Sequence, residues 1–319
     1  MVQTFPTIAL GSTPVNVTPL GIGTWAWGDK LFWSYGSDYG EAQVQEAFQA
    51  TVESGLSFFD TAEIYGFGES ERLIGKFLKQ TDRPVQIATK YFPVPWRFNA
   101  QAVSEALTAS LERLQLPRVD LYQVHAPLDF LMGQRTLMNA LADEVERGRI
   151  GAIGISNYSA QQMRRAHEFL AARGIPLAVN QVRYSLITRQ IEANGILNTA
   201  QELGITILAY SPLAQGLLTG KYTPDRAKTL HGARRIDPRF SRGNLEKISP
   251  VLEALDRIGQ VHDRTPAQVA LNWLIAQGSV IPIPGAKTAE QARQNAGAVG
   301  WSLDAAEVAE LDRLTYSFR

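Results

Sequence analysis

Apolar residues along the chain follow two alternating rhythms. Short runs with apolar middles alternate with longer stretches in which apolar positions recur every three or four residues. The short runs predict strands at 20–25, 57–61, 85–90, 119–125, 150–156, 177–183, 206–212 and 280–284. Several of them, such as 152–155 and 205–209, are almost wholly apolar, as strands covered on both faces of a parallel sheet are. The longer stretches predict helices at 41–54, 69–79, 100–114, 136–147, 160–173 and 192–203. Gly55, Gly148, Gly174 and Gly204 stand where such helices should stop, and Ser159 stands where one should begin. The strands from 57 to 206 begin at intervals of roughly thirty residues, the length of one βα unit. Eight strands alternating with helices predict an α/β fold, a (β/α)8 TIM barrel, in preference to a doubly wound open sheet.

Two segments depart from this rhythm. Residues 7–18 read as a β-hairpin ahead of the first barrel strand, placed to plug one end of the barrel. Residues 213–249 form a long irregular stretch, richer in Lys and Arg than in Asp and Glu. Irregular segments of that length are uncommon in compact domains and are often functional. The basic run 234–242 reads either as a clamp over a bound phosphate group or as a solvated surface loop. Helical patterns at 250–262 and 266–277 follow, so extra C-terminal helices are expected on a single domain spanning 1–319.

Composition narrows the chemistry. The 319 residues include no cysteine, which excludes disulfides, thiolate metal sites and thiol nucleophiles. His167, His231 and His262 lack metal-ligand spacing, so no metal is expected. Lys plus Arg and Asp plus Glu stand at 31 each, which gives no basic excess for nucleic acid. No run is long and apolar enough for a membrane span, and residues 1–10 lack a signal-peptide pattern. A soluble, cytoplasmic protein with a small-molecule substrate is the expectation, with monomer and homo-oligomer both open.

In a (β/α)8 barrel the chemistry sits at the C-terminal ends of the strands. Asp60, Lys90 and His125 close three consecutive predicted strands, and Tyr65 follows Asp60 in the adjoining loop. Ser156, Asn157, Gln181, Tyr210 and Ser211 stand at the next three strand ends. A strand-end Asp often only caps a turn, and any one of these residues has a bland structural reading. Four titratable groups converging on one mouth do not. A lysine ammonium beside a tyrosine favours the phenolate and lowers the tyrosine pKa from about 10. An aspartate would hold that ammonium charged, and a histidine would orient a carbonyl oxygen. This is equipment for protonating a carbonyl oxygen while a hydride from a cofactor attacks its carbon.

These residues lie in longer motifs. Asp60-Thr-Ala-Glu-Ile-Tyr65-Gly, Ala-Thr-Lys90, Asp-Leu-Tyr-Gln-Val-His125 and Gly-Ile-Ser156-Asn157 are followed by Asn180-Gln181-Val-Arg-Tyr. Tyr210-Ser211-Pro-Leu213-Ala-Gln-Gly216 and Ile-Pro-Gly285-Ala-Lys287 complete the set. Taken in order, they resemble the signatures of the aldo-keto reductases over nearly the whole chain. The wording around Trp27 and Trp96 is similar to the cyanobacterial and chloroplast branch, itself similar to pyridoxal reductases and to potassium-channel β-subunit-like reductases. The resemblance implies NADPH/NADP as cofactor and an Asp60–Tyr65–Lys90–His125 tetrad with Tyr65 as general acid. It implies that Ser156, Asn157 and Gln181 hold the nicotinamide carboxamide and that Tyr210 stacks on the ring. Ser211, Leu213 and Gly216 would meet the pyrophosphate, and Lys221 and Gly285 would also bind the cofactor. Lys287, helped by Thr288, would reach the adenosine 2′-phosphate, and Gln291 and Asn295 would hold the adenine end, where a helix beginning near Thr288 favours an anion.

Four of the six tryptophans fall in the first 96 residues. Trp25, Trp27, Trp33 and Trp96, with Phe92, are expected to wall a substrate pocket suited to flat or aromatic carbonyl compounds. Arg97 beside them reads as a surface arginine or as a partner for an anionic substrate group. The Gly21-Ile-Gly23 pair lacks a third glycine, and Gly216 to Tyr222 falls one residue short of a phosphate-binding P-loop. The leading expectation is an NADPH-dependent reductase of an aldehyde or ketone, with pyridoxal or an aromatic aldehyde as substrate. Two alternatives stand beside it: an NADPH-binding regulatory subunit with slow turnover, and a cofactor-free lyase using Lys90 as a Schiff base.

Overall fold

The structure, a computed structural model, describes residues 5–128, 132–222 and 237–319. A short antiparallel hairpin, β1 (Ile8–Ala9) and β2 (Asn16–Val17), precedes the first barrel strand, β3 (Gly21–Gly23). Then follow α1 (Glu41–Glu53), β4 (Phe58–Asp60), α2 (Glu69–Leu78), β5 (Gln86–Tyr91), α3 (Ala100–Leu114) and β6 (Val119–Val124). The next elements are α4 (Gln134–Glu146), β7 (Ile150–Ser156), α5 (Ala160–Ala171) and β8 (Leu177–Arg183). After them come α6 (Gln190–Ala193), α7 (Ile196–Glu202), β9 (Thr206–Tyr210), α8 (Arg242–His262) and α9 (Pro266–Ile275). The chain ends with β10 (Val280–Ile283), α10 (Ala289–Ala296) and α11 (Ala305–Leu314). Strands β3 to β10 lie parallel in sequential order, and a bridge between Gly23 and Gly285 brings the two edges together. The result is the (β/α)8 barrel that the two rhythms predict.

Two elements differ from expectation. The helix expected from 250 begins at Arg242, where the Ser241 hydroxyl accepts from the Asn244 N–H, and it carries Pro250 inside. Proline suits a first helical turn, but the buried stripe Leu245, Ile248, Val251, Leu255 and Ile258 runs straight past it. The helix expected at 192–203 is two short ones, parted by Gly195 in the left-handed region at φ 84°. Much of the basic stretch, residues 223–236, lies outside the described residues.

Side chains alternate across a strand, so every second residue enters the barrel. Phe58, Ala88, Leu121, Ala152, Val179, Leu208 and Ile281 form one buried inner cluster. Leu10, Val15 and Val17 of the hairpin belong to the same cluster, and the Gly11 N–H donates to the Thr206 hydroxyl at the foot of β9. The hairpin therefore closes the N-terminal end, as the sequence suggests. Two residues further along four of the strands, the inward positions become Asp60, Lys90, Gln123 and Gln181. A second and larger apolar shell packs the outer faces of the strands against the helices.

Candidate active site

A cavity of about 1030 Å³ opens at the C-terminal mouth of the barrel. Its floor is polar. Lys90, wholly buried, donates to Asp60 Oδ2 at 2.5 Å, to the Thr61 carbonyl at 2.8 Å and to the Tyr65 hydroxyl oxygen at 3.3 Å. All three ammonium protons thus have partners. Asp60 Oδ1 accepts from Gln181 at 2.8 Å and from Gln123 at 2.9 Å. Tyr65 enters a 3₁₀ turn, Tyr65–Gly68, in which Gly66 and Phe67 adopt left-handed backbone. A Cβ on Gly66 would stand 2.6 Å from the Gly28 carbonyl oxygen, so only glycine lets these two loops meet.

Electrostatics fix the protonation states. Burial works against the charge on Lys90, but Asp60 and Tyr65 outweigh it and raise its pKa. A charged amine with three partners is no nucleophile, which removes the Schiff-base alternative. Burial pushes the Tyr65 hydroxyl above its ordinary pKa, while Lys90 pulls it down. The lysine acts in the expected direction, yet the net shift is upward because the phenol is desolvated. Tyr65 is therefore a protonated phenol at neutral pH. Its oxygen accepts from Lys90, so its own proton is available to another acceptor. Burial and the Lys90 charge lower His125 to about 3, so it is a neutral imidazole. His125 meets the Tyr65 ring edge-on at 5.6 Å between centroids.

Around this floor the strand ends are stitched together. Ser156 donates to the Gln181 carbonyl at 3.0 Å, Asn157 donates to the Ser156 hydroxyl at 3.1 Å, and Tyr210 donates to Asn157 Oδ1 at 3.1 Å. Asn157 and Ser211 both take left-handed backbone at φ 61° and 51°, outliers of the kind that gather at working sites. Ser211, Leu213, Gly216 and Lys221 continue the cavity wall, as do Gly285, Lys287, Gln291 and Asn295. The Lys287 ammonium lies over the faces of Trp33 and Tyr39, 4.6 and 4.5 Å from their centroids. Asn295 donates to the Gly285 carbonyl at 3.2 Å. Thr288 does not reach the wall. Its hydroxyl caps α10 by accepting from the Gln291 N–H.

The aromatic expectations divide. Trp25 and Trp33 line the cavity, packed edge-to-face at 5.5 Å. Trp27 does not: it is fully buried against Phe59 and Phe77, and its indole donates to the Ala286 carbonyl. Phe92 lies off the wall, edge-on to His125. Trp96 is 73% exposed and away from the cavity. Arg97 is committed to Glu63 through its two terminal guanidinium nitrogens and is neither a free surface charge nor a substrate partner. In the basic stretch, Arg239 pairs with Asp237 and donates to Gln215. The sequence reading overlooks Leu31, Phe32, Ile64 and Phe67, apolar residues exposed at the rim of the cavity. It also overlooks Gln123, which the period of two along β6 places inward.

An eight-stranded barrel with a buried carboxylate–ammonium–phenol chain at its C-terminal mouth is an enzyme scaffold arranged for proton transfer. Residues 19–315 match the model of the aldo/keto reductase family, and the chain belongs to that family of oxidoreductases. It is 39% identical over 315 residues to the chloroplastic pyridoxal reductase of Arabidopsis thaliana, covering 94% of this chain and 83% of that one. A glycerol dehydrogenase from Gluconobacter oxydans superposes with a TM-score of 0.85 at 28% identity, over 98% of this chain and 95% of that one. An aldo-keto reductase from Klebsiella pneumoniae, solved in complex with NADPH, superposes with a TM-score of 0.74 at 27% identity, over 99% and 96%. Among the described residues, no helix is long and apolar enough to cross a membrane.

Proposed function

We propose that this chain, acting as one barrel domain over 1–319, reduces an aldehyde or ketone to the alcohol with NADPH. The observation that carries this reading is the Tyr65 phenol, protonated, accepting from Lys90 and facing the cavity beside a neutral His125. The cavity fits the cofactor in size and in chemistry. It runs from Tyr65 and His125 to Lys287 at the start of α10, large enough for a dinucleotide and a small carbonyl compound together. Ser156, Asn157 and Gln181 would hold the carboxamide, and Tyr210 would cover the ring. Both Gln181 side-chain amide protons are engaged within the protein, so its side-chain oxygen Oε1 is the atom it offers a ligand. Ser211, Leu213, Gly216 and Lys221 would meet the pyrophosphate. Gly285, Lys287, Gln291 and Asn295 would hold the adenosine end, with Thr288 acting through the cap of α10.

When bound, the nicotinamide supplies the hydride that the carbonyl carbon accepts. The protein's own work is the proton. Tyr65 gives its hydroxyl proton to the carbonyl oxygen, and the bond from Lys90 strengthens as negative charge grows on the phenol oxygen. Asp60 holds Lys90 charged and aimed. His125, neutral over the working pH range, orients the carbonyl without competing as an acid.

The apolar rim of Trp25, Trp33, Phe32 and Phe67 suits a flat aromatic aldehyde, and the pyridoxal reductase relative makes pyridoxal the first compound to try. The test is NADPH consumption against pyridoxal, benzaldehyde, methylglyoxal and small ketones. Turnover highest on the flat aldehydes supports the reading, and preference for small ketones overturns the substrate class. A single slow oxidation of bound NADPH, unmoved by any of them, favours a regulatory use of the same pocket.

A further inference from the structure

Inside the barrel, Gln123 is a polar side chain with no part in the steps above. It stands on β6, fully buried, two residues before His125. A buried amide is costly unless its donors and acceptor are matched. Here Nε2 donates to Asp60 Oδ1 at 2.9 Å, and Oε1 accepts from Gln181 Nε2 at 3.1 Å. The barrel makes room for it. Gly154 is its neighbour across the β6–β7 ladder, and a Cβ there would stand 2.7 Å from Gln123 Cγ.

The two oxygens of Asp60 are thereby divided. Oδ1 takes the amides of Gln123 and Gln181, while Oδ2 takes Lys90. Without the first pair, the carboxylate is free to turn and receive the ammonium on both oxygens. Lys90 would then be drawn from Tyr65, to which it makes the longest of its three bonds at 3.3 Å. The same amides join Asp60 to Gln181, so the carboxamide end of the cavity and the proton donor share one hydrogen-bond circuit.

We propose that Gln123 is a positioning residue for the reduction, acting through Asp60 and Gln181 to keep Lys90 aimed at the Tyr65 hydroxyl. The inference rests on Tyr65 being the proton donor. The ionisable groups facing this amide and its carboxylate are Asp60 from β4, Tyr65 from the loop after it, Lys90 from β5, His125 from the end of β6 and Tyr210 from β9. Strands β7 and β8 offer Ser156 and Gln181, which do not titrate, and β8 ends in the charged Arg183, paired in register with Tyr210.

The test is steady-state reduction of benzaldehyde by NADPH across the pH range. Gln123→Leu and Gln123→Glu are compared with the unmodified enzyme and with Tyr65→Phe. Gln123→Leu keeps the volume and removes the bonds. Its kcat falls about tenfold to a hundredfold, the worth of a hydrogen bond to a charged group, while KM for NADPH stays within about twofold. Gln123→Glu places a second carboxyl against Asp60, and such a pair holds one proton tightly. That proton restores the donor at low pH, so kcat stays near normal there and declines as it leaves. The unmodified enzyme declines only at the high pH where Tyr65 itself loses its proton. A Gln123→Leu enzyme within about twofold in kcat overturns the proposal. So does a Gln123→Glu profile without the new limb, which would mark the residue as filling alone. Should Gln123→Leu not fold, the limb in Gln123→Glu decides. Turnover surviving in Tyr65→Phe breaks the proton-donor reading itself, whereas an inactive Tyr65→Phe beside an undisturbed Gln123→Leu breaks only this inference.

Discussion

The lower and upper layers of the barrel interior stand two residues apart on the same strands, yet they are built on opposite terms. Phe58, Ala88, Leu121 and Val179 below are apolar and buried, and they stabilise the barrel simply by leaving water. Asp60, Lys90, Gln123 and Gln181 above are as deeply buried and polar, and each costs free energy unless a neighbour satisfies it. They form a closed set of matched donors and acceptors with Tyr65 at its open end. The contrast teaches where each layer should register its loss. Damage below appears as stability, and damage above appears as turnover.

The sharpest test is Tyr65→Phe, which removes one oxygen from the top of the polar set. We expect turnover to fall by about a thousandfold, with NADPH affinity and thermal midpoint nearly unchanged. A comparable loss of stability would erase the contrast between the layers. Leu121→Ala is its counterpart below. It should cost about 2–5 kcal/mol in denaturant unfolding, while kcat per folded molecule stays within a few-fold.

Lys287→Ala moves the comparison to the far end of the cavity. It should weaken NADPH about tenfold to a hundredfold, as loss of a charge-assisted bond does, and leave NADH little changed. Equal losses for the two cofactors would place the 2′-phosphate elsewhere. The gentlest test is acid. His125 is held near 3 when folded against 6.5 for the free side chain, so between these values the unfolded chain binds the extra proton. Its contribution is complete above pH 6.5 and is lost as pH falls toward 3, by about 1.4 kcal/mol per pH unit. His125→Gln should flatten that part of the stability–pH curve, and an unchanged slope would mean the imidazole takes up its proton as readily in the fold as in the unfolded chain.

The eight strands are legible in the sequence because several are covered on both faces and nearly wholly apolar, and because they alternate with helical patterns at a regular interval. The polar strand ends are legible for the same reason, since they interrupt those runs at one level of the barrel. Loop directions are another matter. Nothing in residue type separates Trp27, turned into the core, from Trp25, turned to the cavity, because loops have no period to orient them. Pro250 misleads as a helix start since the same residue suits a first turn and, less comfortably, an interior one. For Tyr65, the lysine beside it is visible in the sequence but the extent of desolvation is not, and desolvation sets the sign of the shift. Gln123 lies at a register position that the sequence marks as inward. Only distances show that its partner is Asp60.

The hairpin that seals the foot of the barrel has a consequence for traffic. With Leu10, Val15 and Val17 packed under the lower layer, the interior is a cul-de-sac, and the cavity opens at the strand C-termini. Under the proposed function, a dinucleotide and a carbonyl compound would have to share that one mouth, each entering and leaving past the other.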